Sequence, residues 1–180
     1  GVKVYDKKQD TIWKEKNVLA VQDKKEIIAI GEDAYQMYEK TPPDIEVAFP
    51  MRDGVISRFN DMQNLLQNIL KKNRHFSRGA EYVIAVPTDV TEVQKKAFFD
   101  LVIHSNAKAR EVNIVERSIA DAVGLGIDVQ NTTGVMIINF GGETTELSVL
   151  TEGGIVFNRL LKLGGTTLDQ EIVNLVRNSH

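Results

Sequence analysis

Residues 134–154, GVMIINFGGETTELSVLTEGG, constrain the chain more than any other stretch. An apolar strand, Val135 to Phe140, runs into Gly141 and Gly142. Glu143, Thr144 and Thr145 follow, and a second strand is predicted from Leu147 to Leu150. Successive glycines can take positive φ, which lets backbone N–H groups converge into a small anion-binding concavity. Thr144 and Thr145 add hydroxyl donors beside it. Two readings follow from these residues: a cradle for a nucleotide phosphate, or a β-hairpin with a glycine turn and no ligand. The stretch alone leaves both open.

Composition narrows the classes. With 180 residues, 42% hydrophobic and 26% charged, the chain has enough material for a proper core and one to two domains. A net charge of −3 gives no basic field of the kind that attracts nucleic acid, and no nucleic-acid partner is expected. The absence of cysteine excludes disulfides, zinc thiolate sites and a thiol nucleophile, and fits a cytoplasmic protein. No apolar run approaches the roughly 18 residues of a membrane span. The first residue is Gly1, so the chain is expected to be a piece of a longer protein.

Taken in order, the chain opens with short alternating strands at Val2–Tyr5, Thr11–Lys14, Val18–Val21 and Ile27–Ile30, separated by polar turns. A short helix over residues 31–40 stops at Pro42 and Pro43, and Ile45 to Phe49 reads as a strand. Asn60 is placed to cap a helix whose Met62, Leu65, Leu66, Ile69 and Leu70 form one apolar stripe. A strand at residues 82–87 leads to a helix that starts with capping-box spacing, Thr91 and Gln94. A strand at 112–115, expected to pair in parallel with 82–87, and a short helix from Ser118 to Leu125 come next. After the glycine stretch and a strand from Ile155 to Leu161, Thr167 and Gln170 predict a second capping box. The helix behind it carries the stripe Leu168, Ile172, Leu175 and Val176. The sum is an α/β chain with a mixed sheet and flanking helices.

Five segments in this order resemble the actin/Hsp70/sugar-kinase ATPase superfamily and, within it, the MreB family of bacterial actins, the rod-shape-determining proteins. They are FPMRDGVI at 49–56, VPTDVTEV at 86–93, NIVERSIADAVGLG at 113–126, INFGGETTE at 138–146 and LGGTTLD at 163–169. The resemblance implies the actin-like, ribonuclease H-like ATPase fold, α/β with a small α+β subdomain. It implies that residues 1–17 and 52–130 form the large subdomain of a first domain, 18–51 its small subdomain, and 131–180 the start of a second domain. A first phosphate loop, Asp-Leu-Gly-Thr in the family, is expected upstream of Gly1, and the adenine-binding residues beyond His180. The chain alone is therefore expected to bind nucleotide weakly.

The resemblance also assigns sites. Glu92, just past a strand end, is the candidate that orients or deprotonates the attacking water, with Thr144 helping to place it. Read without the family, Glu92 is an acid favoured by the dipole of a capped helix, and Thr144 a turn residue. Gly141, Gly142, Thr144, Thr145, Gly164 and Gly165 are the candidate phosphate contacts, with ATP and Mg as the expected cofactors. Asn139 stands where the family has an aspartate that holds magnesium through water, and an amide is the weaker partner. Glu143 replaces a third glycine, Arg117-Ser118 a Glu-Pro pair, and Asp121 an alanine. Slow or lost hydrolysis is therefore expected.

The resemblance implies that Phe76, with Arg74 and Arg78, stands at a membrane-touching tip, which suits anionic headgroups on the inner face of the membrane; the other reading is a local packing residue. His104 and His180 show no metal-ligand spacing. The function implied is an ATP-binding cytoskeletal protein that polymerises with itself, and with paralogues, to organise cell shape or motility. The competing readings are a degenerate actin-like interaction module without ATP turnover and a chaperone- or kinase-type ATPase of the same superfamily.

Overall fold

The computed structural model describes residues 1–72, 79–152 and 154–179. The chain divides into two compact units. One comprises Gly1–Arg52, Ile56–Tyr82 and Phe99–Val112; the other comprises Asp53–Val55, Val83–Phe98 and Asn113–His180.

The first unit begins with an antiparallel hairpin of β1 (Val2–Asp6) and β2 (Thr11–Glu15), with Val4 opposite Trp13. Its turn is made by Asp6, whose carboxylate accepts the N–H groups of Lys8 at 2.9 Å and Gln9 at 3.2 Å, an Asx-type turn. Three further strands form an antiparallel sheet in which β3 (Leu19–Gln22) lies between β4 (Glu26–Ile30) and β5 (Ile45–Ala48). Asp23 and Lys24, both at positive φ, turn β3 into β4. Helix α1 (Glu32–Gln36) covers this sheet, burying Ala34 against Val18 and Ala20.

Two very short strands, β6 (Met51–Arg52) and β7 (Val55–Ile56), are joined by Asp53 (φ 52°) and Gly54 (φ 82°). Two consecutive positive φ values are what a two-residue hairpin demands, and Asp-Gly is among the pairs that supply them most cheaply. Helix α2 (Phe59–Lys72) buries Met62, Leu65, Leu66 and Ile69 of the stripe read from its periodicity, and its fifth member, Leu70, is half-buried. It starts one residue ahead of Asn60, so Asn60 lies in the first turn and is not the cap. The Met62 N–H bonds the Arg58 carbonyl at 3.0 Å. Asp61 in that turn pairs with Arg58 at 2.6 Å and supplies the negative charge a helix start favours.

Strand β8 (Glu81–Val86) pairs with β9 (Glu111–Glu116), and α3 (Glu92–Ile103) connects them. The capping box forms as predicted: the Gln94 side chain accepts the Thr91 N–H at 2.9 Å, and the Thr91 hydroxyl accepts the Gln94 N–H at 3.3 Å. In the second unit α4 (Arg117–Gly124) is followed by an antiparallel meander of β10 (Val135–Phe140), β11 (Thr145–Thr151) and β12 (Gly154–Leu161). Ala122 of α4 packs with Ile137 and Leu150 as its core.

Helix α5 (Gly165–Ser179) closes the described chain and departs from expectation twice. It begins two residues before Thr167, so the second capping box does not form. Its apolar stripe is not buried: Leu168 is 46% exposed, Ile172 61%, Leu175 67% and Val176 55%. Among the described residues no helix is long and apolar enough to cross a membrane.

Candidate phosphate-binding site

The β10–β11 hairpin brings the glycine stretch into one loop. Phe140 stands opposite Thr145, and the loop closes with a bond from the Gly141 N–H to the Thr144 carbonyl at 2.8 Å. The reciprocal bond, from the Thr144 N–H to the Gly141 carbonyl, is not made. That carbonyl accepts the N–H of Gly165 at 3.0 Å instead, and the Gly142 carbonyl accepts the N–H of Thr166 at 2.7 Å. Helix N-termini leave their first N–H groups without intrahelical partners. Here the glycine loop satisfies them, which is why α5 starts at Gly165 and has no use for a threonine cap. In exchange, the N–H groups of Gly142, Glu143 and Thr144 make no bond within the protein among the described residues.

The glycines are needed for a different reason from the one expected. Neither Gly141 nor Gly142 takes positive φ; among the described residues the glycines that do are Gly31, Gly54, Gly79, Gly126 and Gly134. Close approach explains Gly141 and Gly164, whereas nothing lies within 4 Å of a Cβ added to Gly142. A Cβ on Gly141 would lie 2.8 Å from the Thr144 carbonyl oxygen, and one on Gly164 would lie 2.6 Å from the carbonyl carbon and oxygen of Gly142. The loop and the start of α5 touch backbone to backbone.

The neighbouring side chains hold this arrangement. Thr144 is buried, and Gly54 of the hairpin turn packs beside it: a Cβ there would stand 3.7 Å from the Thr144 hydroxyl and 3.3 Å from Pro87. Thr145, also buried, donates its hydroxyl to the Leu163 carbonyl at 2.6 Å, which pins the segment leading into α5. The Glu143 carboxylate accepts the Asp53 N–H at 2.8 Å, and the Asp53 carboxylate pairs with Lys162 at 2.7 Å.

Behind the loop lies a buried acid that sequence reasoning did not single out. Glu146 is 3% exposed and accepts the Thr88 N–H at 2.8 Å; the Thr88 and Ser118 hydroxyls are 2.6 Å apart. Its second oxygen makes no hydrogen bond and faces Arg117 at 3.8 Å. The signal available in the sequence is an acid just ahead of the predicted strand Leu147–Leu150, together with Arg117 at an altered helix start.

Asn139 lies on β10, where its side-chain amide donates to Asp121 of α4 at 2.6 Å. The pair borders a shallow concavity of about 390 Å³ whose other walls include Leu125 and Ile137. Asp121 thus returns a carboxylate to the neighbourhood of Asn139. Glu92 opens α3, has a side chain 87% exposed, and pairs with Lys95 at 3.1 Å. Arg74, Phe76 and Arg78 lie outside the described residues. The His104 ring bonds the Asp100 carbonyl at 3.1 Å, within one helical turn. Among the described residues no cluster of three or more histidine or acidic side chains could cage a metal ion. Asp121 with Asn139 does fit magnesium held through its waters, the manner in which a nucleotide-bound magnesium is commonly met.

Comparison with known proteins identifies the family. The family model for the MreB/Mbl protein matches residues 1–180. The chain belongs to the MreB/Mbl family. It is 34% identical over 185 residues to the cell shape-determining protein MreB of Escherichia coli K12, covering 98% of this chain and 53% of that protein. The crystal structure of MreB5 of Spiroplasma citri bound to AMPPNP superposes with a TM-score of 0.88 at 31% identity, covering 98% of this chain and 53% of that one. A MamK double helical filament, at 19% identity and a TM-score of 0.74 over 96% of this chain and 54% of that one, shares the fold. The architecture is therefore that of the actin-like ATPases. The chain spans about half the length of the MreB relatives it matches.

Proposed function

We propose that the protein is an actin-like cytoskeletal ATPase that binds ATP with magnesium at the glycine loop and polymerises into filaments governing cell shape or motility. The observation that carries this reading is the set of unpaired N–H groups at Gly142, Glu143 and Thr144, on a loop whose carbonyls are turned away into α5. Backbone donors without protein partners are suited to phosphate oxygens, and the positive end of the α5 dipole lies behind them. The AMPPNP bound by the Spiroplasma citri relative supports a nucleotide as the anion.

Within that reading Thr144 and Glu92 place the attacking water, Gly141, Gly164 and Gly165 set the close packing that keeps the donors free, and Thr145 fastens the loop through Leu163. Magnesium supplies neutralisation of the phosphate charge, and Asp121 with Asn139 would hold its water shell. The carboxylate arrives from α4 rather than from β10, and slow turnover is the expected consequence. The protein acts in the cytoplasm, with the segment carrying Arg74, Phe76 and Arg78 against the inner face of the membrane. Residues 18–51 supply subunit contacts: Tyr35, Tyr38 and Phe49 are exposed there, and Tyr38 stacks edge-on to Phe49 at 5.1 Å.

The test is an equilibrium titration of the full protein with a fluorescent ATP analogue, with and without magnesium, followed by electron microscopy. Micromolar binding that depends on magnesium, and filaments that Tyr38→Asp abolishes without unfolding the protein, are expected. No binding at millimolar nucleotide would overturn the reading. Binding and filaments without phosphate release would favour instead an interaction module that has lost turnover, a reading the altered positions Asn139 and Glu143 motivate.

A further inference from the structure

We propose that Glu143 is a positioning residue whose carboxylate clasps the glycine loop to the tip of the β6–β7 hairpin, holding its own charge off the anion site. The proposal rests on the phosphate-binding reading of the loop and explains how an acid is accommodated there.

Three contacts make the clasp. Glu143 accepts the Asp53 N–H at 2.8 Å, across 90 residues of sequence. The Asp53 side chain is drawn the other way, to Lys162 at 2.7 Å, so the hairpin tip is fastened to the segments on both sides of β11 and β12. Gly54 then seats the tip on Pro87 and Thr144. The tip is stiff, because Asp53 and Gly54 both hold positive φ in a two-residue turn. The loop is not: it begins with two glycines, which have the largest backbone entropy to lose. Of residues 141–144 only Glu143 has a side chain long enough to reach a second element. Anchoring it there preorganises the three unpaired N–H groups before any ligand arrives, which is where binding affinity is gained. Lys162 offsets part of the local negative charge, and the Asp53 N–H takes the carboxylate oxygen that would otherwise face a phosphate.

Repulsion by Glu143 and positioning by Glu143 make opposite predictions. A glutamine keeps an acceptor for the Asp53 N–H without the charge; an alanine removes both. The experiment compares the full wild-type protein with Glu143→Gln and Glu143→Ala. Hydrogen exchange without nucleotide is read at the Asp53 amide and across residues 141–145, and magnesium–ATP analogue affinity by titration. Glu143→Ala is expected to speed exchange at both places and weaken affinity, each by about fivefold, the size of one charge-assisted bond at an exposed site. Glu143→Gln is expected to stay within about twofold of wild type on both.

Unchanged exchange in Glu143→Ala overturns the clasp. Faster exchange with unchanged or tighter affinity overturns its positioning role, and tighter affinity in both variants shows repulsion instead. Absence of nucleotide binding by every variant sinks the phosphate reading, while the exchange result still decides whether the clasp exists.

Discussion

Gly164→Ala separates close packing from conformational freedom as the reason for glycine in this site. The new Cβ would sit 2.6 Å from the carbonyl carbon and oxygen of Gly142 and 2.7 Å from the carbonyl carbon of Glu143. All three are backbone atoms, so no side chain can swing aside, and comfortable contact begins near about 3.5 Å. The start of α5 must therefore retreat by roughly 1 Å. That retreat stretches the bonds from Gly165 to Gly141 and from Thr166 to Gly142, now 3.0 and 2.7 Å, beyond useful length. Two bonds at about 1 kcal/mol each, with at least about 1 kcal/mol of overpacking strain, give a loss near 3 kcal/mol. In a chain of this size that is a fall in Tm of about 6–12 °C. Gly142→Ala is the matched control, because nothing lies within 4 Å of its added Cβ and its φ is ordinary. Its effect should stay within about 0.5 kcal/mol, helped by a less flexible unfolded chain. Urea unfolding followed by circular dichroism measures both. Equal losses, or a larger loss for Gly142→Ala, would refute the packing argument.

Other expectations are independent of that one. Arg117→Ala should cost about 2 kcal/mol, since attraction across 3.8 Å is worth about 4 at an effective dielectric near 20 and partial exposure of the arginine reduces it. Adding Glu146→Gln should recover most of the loss in a double-mutant cycle, and additive effects would show that the pair is not coupled. Asn139→Asp replaces a 2.6 Å hydrogen bond with two facing carboxylates and should lower stability at neutral pH by about 1–2 kcal/mol; an unchanged urea midpoint counts against the assignment. Asp128 is held below its ordinary value of 3.8, first by the Asn131 side chain and then by the Gln130 N–H. Because the folded value is the lower one, the turn's stabilisation is present above about pH 4 and is lost as pH falls through the folded value. Carboxyl titration by NMR should place the Asp128 midpoint under 3.8, and a midpoint at or above it would contradict the turn geometry.

What could be read from sequence was local. The β1–β2 turn, the α2 stripe and the Thr91–Gln94 box are each decided within a few residues, and each is as expected. The errors come from partners far along the chain. Thr167 had the right spacing for a cap, but the carbonyls of Gly141 and Gly142 reached the helix start first. The glycines looked like sources of positive φ because a sequence shows a glycine's freedom and not what presses on it. Glu143 reads from sequence as an acid in the place of a glycine, and only the fold brings the Asp53 N–H to its carboxylate. Glu146 was overlooked because burial of an acid depends on Thr88 and Arg117 converging from two other elements.

The bare stripe on α5 bears on handling rather than folding. Apolar side chains already in water contribute little to the free energy of unfolding, so Leu175→Lys or Ile172→Glu should barely move the urea midpoint. Those same side chains form a contiguous sticky strip, and strips of this kind set how readily molecules cling to one another. Sulfate and phosphate buffers strengthen such contacts, whereas a single charge in the strip weakens them.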